Sequence, residues 1–235
     1  DDLYTEYITL LNLDGQYQKA YDCIMGHTFH PWEGGEGKIP AQYRLALIGL
    51  ARAADDDTAL ALLQQALTYP HNLGEGKLIG NLDNDLYEMI GELYAKRGDT
   101  ARAEEAFRLA ARGNFDLTGA IYYNDQPPQM MYYAAKALAA LGETDEAQKR
   151  FAAFIDYAEA HRDDVMEIEY FAVSLPDFLI FEGDLNKNNR VHCCLMEALG
   201  ALGLGDNKRA RQAALRGLAE NGCQSELNRI VKGIL

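Results

Sequence analysis

One segment of the chain, residues 84–114, has the pattern of two helices joined by a sharp turn. It reads NDLYEMIGELYAKRGDTARAEEAFRLAARGN, and small or apolar residues recur in each half at the spacing of one helix face. Gly98 separates the halves, and Asp99 or Thr100 can cap the second helix. The segment therefore predicts a hairpin of two closely packed helices.

The same spacing recurs in units that start near residues 1, 40, 128 and 191. It is typical of the tetratricopeptide repeat (TPR), a helix–turn–helix unit of about 34 residues. We predict an all-α, right-handed TPR-like solenoid that forms a single domain over residues 1–235. Its five hairpins are predicted near residues 1–34, 40–73, 84–117, 128–161 and 191–224, with a C-terminal capping helix in SELNRIVKGIL.

Glycine occupies the predicted turn of four hairpins, at Gly15, Gly98, Gly142 and Gly205. In the second unit Ala54 stands at this position and is followed by an aspartate-rich stretch. Because alanine does not readily adopt the left-handed conformation of such a turn, we expect the second hairpin to be irregular.

The repeats are separated by insertions. Unit starts are 39, 44, 44 and 63 residues apart, and the longest insertion covers residues 162–190. Loops between the repeats of a solenoid project from one edge and often form its binding face. Aromatic rings beside carboxylates and amides suit either a protein interface or a saccharide. The predicted binding residues in these insertions are His30, Trp32, Glu33, Glu36, Lys38, Glu75, Lys77, Tyr122, Tyr123, Asn124, Asp125, Asp177 and Glu182.

The tetrapeptide GEGK occurs twice, at residues 35–38 and 74–77, inside the first two insertions. A phosphate-binding Walker loop would need Ser or Thr after the lysine, but Ile39 and Leu78 follow, and no strand is predicted before either copy. Glu33 and Glu36, or either one with Asp177 or Glu182, could form a general acid–base pair. We favour the interpretation that these glutamates accept backbone N–H groups and hold a glycine-rich turn.

The chain is acidic, with 22 Lys and Arg against 36 Asp and Glu, and a formal net charge of −14. This charge repels nucleic acid and anionic lipid, and no apolar run approaches the roughly 20 residues of a membrane helix. The four cysteines form no CxxC pair and the histidines lack metal-ligand spacing, so we predict no metal and no cofactor. His192 precedes Cys193, but adjacent helical residues point about 100° apart, which argues against a catalytic pair.

Four separated motifs, FHPWEGGEGK, NLGEGKL, YYNDQPP and DFLIFEGDLNKNNRVHC, resemble the C-terminal TPR portion of large bacterial proteins. Those proteins carry N-terminal β-sandwich regions of unknown function, similar in outline to carbohydrate-active enzymes. The resemblance spans nearly the whole chain and implies a missing N-terminal portion and a link to sugar metabolism, without a mechanism that transfers residue by residue. The opening DDLYTEY, without Met or a signal-peptide pattern, also leads us to expect part of a longer protein. The four cysteines, interpreted as small buried residues of a reducing compartment, favour a cytoplasmic location.

Two functions follow from these patterns. The first is a non-catalytic interaction module that binds a protein partner or the parent protein's own domains. Its concave face would be lined by Thr5, Arg44, Glu88, Glu92, Tyr132 and Lys136. The alternative is a carbohydrate-binding or carbohydrate-processing role, in which the inserted loops complete an active site with the missing domain; its candidate carboxylates are Glu33, Glu36, Asp125, Asp177 and Glu182. A purely structural spacer is the third interpretation.

Overall fold

The computed structural model describes residues 1–30, 35–78, 80–118, 126–166 and 184–233. Within these ranges the chain forms α-helices, one short 3₁₀ helix at His71–Leu73 and no strand, which confirms the all-α prediction. None of the helices described there combines the length and the apolar character needed to cross a membrane. The α-helices are α1 (Asp2–Asp14), α2 (Tyr17–Met25), α3 (Lys38–Ala53), α4 (Asp56–Ala66), α5 (Asn84–Lys96), α6 (Thr100–Ala110), α7 (Pro128–Ala140), α8 (Thr144–His161), α9 (Leu185–Gly203), α10 (Asn207–Glu220) and α11 (Ser225–Lys232).

The chain divides into two compact units, Asp1–Ala106 and Phe107–Leu235. In the first unit each helix from α1 to α4 packs against its successor, and α1 also contacts α3. The core of this unit includes the fully buried side chains of Ile8, Leu47 and Leu86. Removing such aliphatic side chains from water is the main favourable term in folding.

In the second unit each helix from α7 to α10 packs against its successor, and α9 also contacts α7 and α11. Helix α9 is therefore central, and the buried side chains of Phe154, Met196 and Leu199 lie in this core. The segment predicted to form a capping helix is α11. Consecutive helices thus pack together from α1 to α5 and from α7 to α11. The predicted single superhelical domain over residues 1–235 stays a prediction.

Four helix-ending turns share one backbone geometry, at Gly15, Gly98, Gly142 and Gly205, whose φ angles lie between 75° and 90°. In each, the residue after the glycine donates its N–H to a carbonyl five residues earlier, as from Gln16 to Leu11 over 2.8 Å. This bond satisfies a carbonyl at the end of the helix, and glycine adopts the left-handed φ at little cost. The predicted turn glycines are confirmed.

The turn at Ala54 differs, as expected. Ala54 is extended, with φ −96° and ψ 167°, and the following Asp55 caps α4. Its carboxylate accepts backbone N–H bonds from Asp57 and Thr58 at 3.0 and 3.1 Å. The backbone hydrogen bond from Thr58 is the main cause that lowers the pKa of Asp55. A side-chain cap on the second helix takes the place of the glycine turn.

Helix α9 begins at Leu185, ahead of residue 191, where the last repeat was predicted to start. Asp184 precedes it and accepts the N–H of Lys187 at 3.0 Å, which satisfies a donor of the first turn. The end of the predicted insertion 162–190 is therefore the first part of a long helix.

Candidate functional site

The two GEGK segments contact each other in the first unit. The backbone N–H of Gly37 donates to Oε2 of Glu75 at 2.8 Å. Gly37 precedes the first residue of α3 with φ 76°, so Glu75 accepts a donor at the start of that helix. The glutamate of the second copy thus holds the turn of the first. The sequence predicted this kind of role for Glu33 and Glu36, and for them it stays a prediction.

Burial of Glu75 raises the pKa of its carboxyl group; the Gly37 hydrogen bond lowers that pKa, and the nearby charge of Glu36 raises it. The net pKa is above the ordinary glutamate value. The folded chain therefore holds this proton to a higher pH than the unfolded chain does. Between the two pKa values the folded state binds more protons, so the contribution of Glu75 to stability falls as pH rises through that range.

We expect Glu75→Gln to retain an acceptor for Gly37 and to remove this titration. At pH 7 the variant should be at least as stable as wild type, whereas Glu75→Ala, which removes the acceptor, should lose about 1 kcal/mol. The effect is measured by urea unfolding from about pH 4 to about pH 7, as the difference in the free energy of unfolding between wild type and Glu75→Gln. The other titrating groups cancel in this difference. A wild-type stability that gains on that of Glu75→Gln as pH rises would contradict the prediction.

Lys77 of the second GEGK segment is held within the first unit. Its Nζ donates to the carbonyl of Leu67 at 2.9 Å and pairs with Asp83. It also lies 5.8 Å from the ring centroid of Tyr69. These contacts anchor the loop before α5, so Lys77 is already engaged inside the unit.

Arg44, Asp83 and Asp85 continue from Lys77 as a buried charge network. Arg44 Nη1 lies 2.8 Å from Asp83 Oδ1, and Arg44 Nη2 pairs with Asp85. Burial acts to lower the pKa of Arg44, but Asp85 and Asp83 raise it by more, so the guanidinium stays charged. The network joins α3 to the start of α5. Together with Lys77 it contains two positive and two negative charges, so the charges balance, as in a structural ion cluster.

The residues predicted to line a concave face lie at different depths. Thr5, Arg44, Glu88 and Tyr132 are buried. The hydroxyl of Thr5 donates to the carbonyl of Asp1 at 3.1 Å. Glu92 is exposed, and Lys136 is half-buried with its Nζ 5.7 Å from the ring centroid of Tyr133. Their binding role stays a prediction.

The remaining predicted loop residues divide into two groups. His30, Glu36 and Lys38 are exposed, and the backbone N–H of His30 donates to Asp1 at 2.9 Å. Outside the described residues lie Trp32, Glu33, Tyr122, Tyr123, Asn124, Asp125, Asp177 and Glu182. Of the carboxylates proposed for sugar chemistry, Glu36 alone therefore falls in the described part of the chain.

His192 and Cys193 have separate surroundings. His192 Nε2 lies 2.9 Å from the carbonyl oxygen of Thr118, which assigns the proton to that nitrogen. Cys193 Sγ faces Asn189 Oδ1 at 3.8 Å, and burial raises the pKa of the thiol to about 11. A thiol that stays protonated at neutral pH is a poor nucleophile, so these contacts do not form a nucleophile–base pair.

A cavity of about 310 Å³ lies in the second unit. It is bounded by the start of α7, one face of α9 and the start of α11. Its lining includes Gln129, Asn188, His192, Leu195, Gln224 and Glu226. The sequence does not reveal this cavity, because its three walls are far apart in the chain. Its volume is at the lower end of small-molecule pockets, and its amides can hydrogen-bond a polar ligand.

Helix α1 carries an exposed apolar stripe formed by Leu3, Tyr7 and Leu10. Their exposed fractions are 88%, 40% and 57%. Residues at this spacing lie on one helix face, while Ile8 and Leu11 on another face are buried. The sequence already shows that α1 is apolar on two faces, and such a helix needs two covering surfaces.

No group of His, Cys, Asp and Glu side chains that could hold a metal ion occurs within the part of the chain that the structure describes. No family model matches this chain, and no solved structure matches it at a significant level.

Proposed function

We propose that this chain is a non-catalytic interaction module, built as a right-handed TPR-like solenoid. It binds a protein partner or another domain of its parent protein. Support for the solenoid comes from the turn glycines that share one geometry and from helices that pack against their neighbours in sequence within each unit. TPR hairpins are joined by such turns, and their stacking leaves open surfaces for partners.

The exposed stripe of Leu3, Tyr7 and Leu10 carries the proposal of a binding role. Scattered surface leucines are common, but three large apolar side chains in one row mark a contact surface. Asp2 and Glu6, both exposed, flank this row. The surface therefore suits an apolar groove with a basic rim, because cations at the rim pair with these carboxylates.

The test begins with a photo-crosslinking residue at position 10, compared with one at Lys149 on the exposed surface of α8. A partner captured at position 10 is then purified, and its affinity for the chain is measured by calorimetry. Leu3→Glu with Leu10→Glu should weaken binding by at least about tenfold, since apolar anchors dominate such contacts.

Thr144→Glu with Gln148→Glu is the matched control, because it adds the same charge at exposed positions of α8. This pair should leave the affinity within about twofold of wild type. Equal loss in both double variants, or capture at position 149 alone, would refute the role of the α1 stripe.

The carbohydrate alternative is favoured by one observation, the cavity with Gln129, Asn188 and Glu226 in its lining. A calorimetric titration against mono- and oligosaccharides separates the two functions. Under the interaction proposal the titration gives no heat of binding. Saturable heat that disappears in Asn188→Ala, with the helix content unchanged, would replace the interaction proposal with the carbohydrate one.

A further inference from the structure

Helix α10 is basic in an acidic protein. Its sequence, NKRARQAALRGLAE, contains four cations and a single acidic residue, whereas the whole chain has a net charge of −14. The acidic residue, Glu220, accepts two hydrogen bonds from Arg190, each at 3.1 Å. The positive charge of α10 is therefore not balanced from within the helix.

The packing of α10 determines where these cations lie. Its buried residues are small, namely Ala210, Ala213, Ala214 and Gly217, and they face the core of the second unit. A Cβ atom on Gly217 would lie 2.9 Å from that of Cys194 on α9, so the two helices approach closely. The long basic side chains consequently lie on the outer faces of α10.

Two of the four cations are engaged with a buried carboxylate. Arg209 Nε lies 3.0 Å and Arg216 Nη2 lies 2.7 Å from oxygens of Glu197, which Arg162 also contacts at 2.6 Å. Burial raises the pKa of Glu197, but the hydrogen bonds from Arg209 and Arg216 outweigh it and the net pKa is lowered. This cluster fixes α10 against α9 and explains Arg209 and Arg216 as structural residues.

Lys208 and Arg211 have no such partner. Both are exposed, and neither forms an ion pair with any residue that the structure describes. With Leu215, which is 43% exposed, they follow the spacing of one helix face. The outer face of α10 thus offers two uncompensated cations beside an exposed apolar side chain.

We propose that this outer face, formed by Lys208, Arg211 and Leu215, binds an acidic peptide segment of a partner protein that also carries apolar side chains. Carboxylates pair with Lys208 and in bidentate fashion with Arg211, and an apolar residue contacts Leu215. Long polyanions such as nucleic acid are disfavoured, because the other acidic residues of the chain repel them. The inference rests on the proposed interaction role but concerns a surface separate from the α1 stripe.

The experiment titrates the full chain into a fluorescein-labelled peptide of Glu and Leu in about 50 mM salt, with fluorescence anisotropy as the readout. Wild type should bind saturably and more weakly as salt is raised. Lys208→Glu with Arg211→Glu should weaken binding by at least about tenfold. The control is Arg52→Glu with Lys149→Glu, which changes the net charge equally at exposed positions on other helices. This double variant should change the affinity for the peptide by less than about twofold.

Leu3→Glu with Leu10→Glu should leave peptide binding unchanged, so a failure of the α1 proposal is distinguishable from a failure here. The inference is overturned if wild type does not bind the peptide, or if the two cation double variants lose affinity equally. It is also overturned if a labelled oligo-thymidylate competes with the peptide and binds more tightly, since the face would then recognise nucleic acid.

Discussion

Gly200→Ala is expected to lower the free energy of unfolding by about 3 kcal/mol, because α8 and α9 cross without room for a methyl group. A Cβ atom on Gly200 would lie 2.5 Å from the backbone oxygen of Phe151, and 2.8 and 2.9 Å from side-chain atoms of Ile155 and Phe154. The Ile155 side chain can rotate away from such a contact, but the Phe154 Cβ atom and the Phe151 carbonyl move only with their helix. Urea unfolding followed by circular dichroism measures the loss.

Gly222→Ala is the control for this substitution. Its Cβ atom would have Leu218 O as its nearest neighbour, at 3.8 Å, which is an ordinary contact. We expect a change within about 0.5 kcal/mol. If Gly200→Ala were as stable as wild type, the close crossing of α8 and α9 would be wrong, since alanine in the middle of a helix otherwise stabilises it by up to about 1 kcal/mol.

Asp83→Ala is the second substitution with a large expected effect, a loss of about 3 to 5 kcal/mol. Asp83 accepts from Arg44 at 2.8 Å and pairs with Lys77. Its removal leaves two cations in a buried site with Asp85 as the remaining carboxylate of the network. The loss arises from these uncompensated charges, because the Asp83 side chain makes no capping bond to α5. Chemical denaturation at pH 7 checks it.

Asp57→Ala provides the matched control, as it also removes an aspartate that pairs with an arginine. Asp57 lies 2.8 Å from Arg97, but its side chain is 90% exposed. Water and salt screen such a pair, so we expect a loss of at most about 1 kcal/mol. Similar losses for Asp83→Ala and Asp57→Ala would show that removing Asp83 leaves no costly uncompensated charge in the Arg44 network.

The turns of this fold could be predicted from local chemistry. Gly15, Gly98, Gly142 and Gly205 end their helices because a left-handed φ is strained for residues with a Cβ atom, and Ala54 departs from the pattern for the same reason. The start of α9 could not be read from repeat spacing. Capping by Asp184 and contacts with α8 and α10 extend that helix beyond the predicted unit.

The sequence indicated which types of contact the candidate site would use, but not which residues form them. Glu33 and Glu36 were interpreted as backbone acceptors, whereas the acceptor seen in the structure is Glu75, whose donor is Gly37 of the other GEGK copy, 38 residues away in sequence. The concave-face role predicted for Arg44 stays a prediction, and the sequence did not reveal that the fold buries this residue beside Asp83 and Asp85. Neither partner set follows from spacing, because each joins residues that are 38 to 41 positions apart in sequence.

The turn chemistry, the acidic balance and the positions of helices other than α9 were readable in this chain, because each depends on residues close in sequence or on composition alone. The sequence shows that α1 is apolar on two faces, but not that the face with Leu3 and Leu10 is the exposed one. The exposure of Lys208 and Arg211 was not readable either, since the same residue types also occur buried or ion-paired elsewhere in the chain. Which helix face a neighbour covers, and which charges find a counter-ion, is determined by the packing of helices that are distant in sequence.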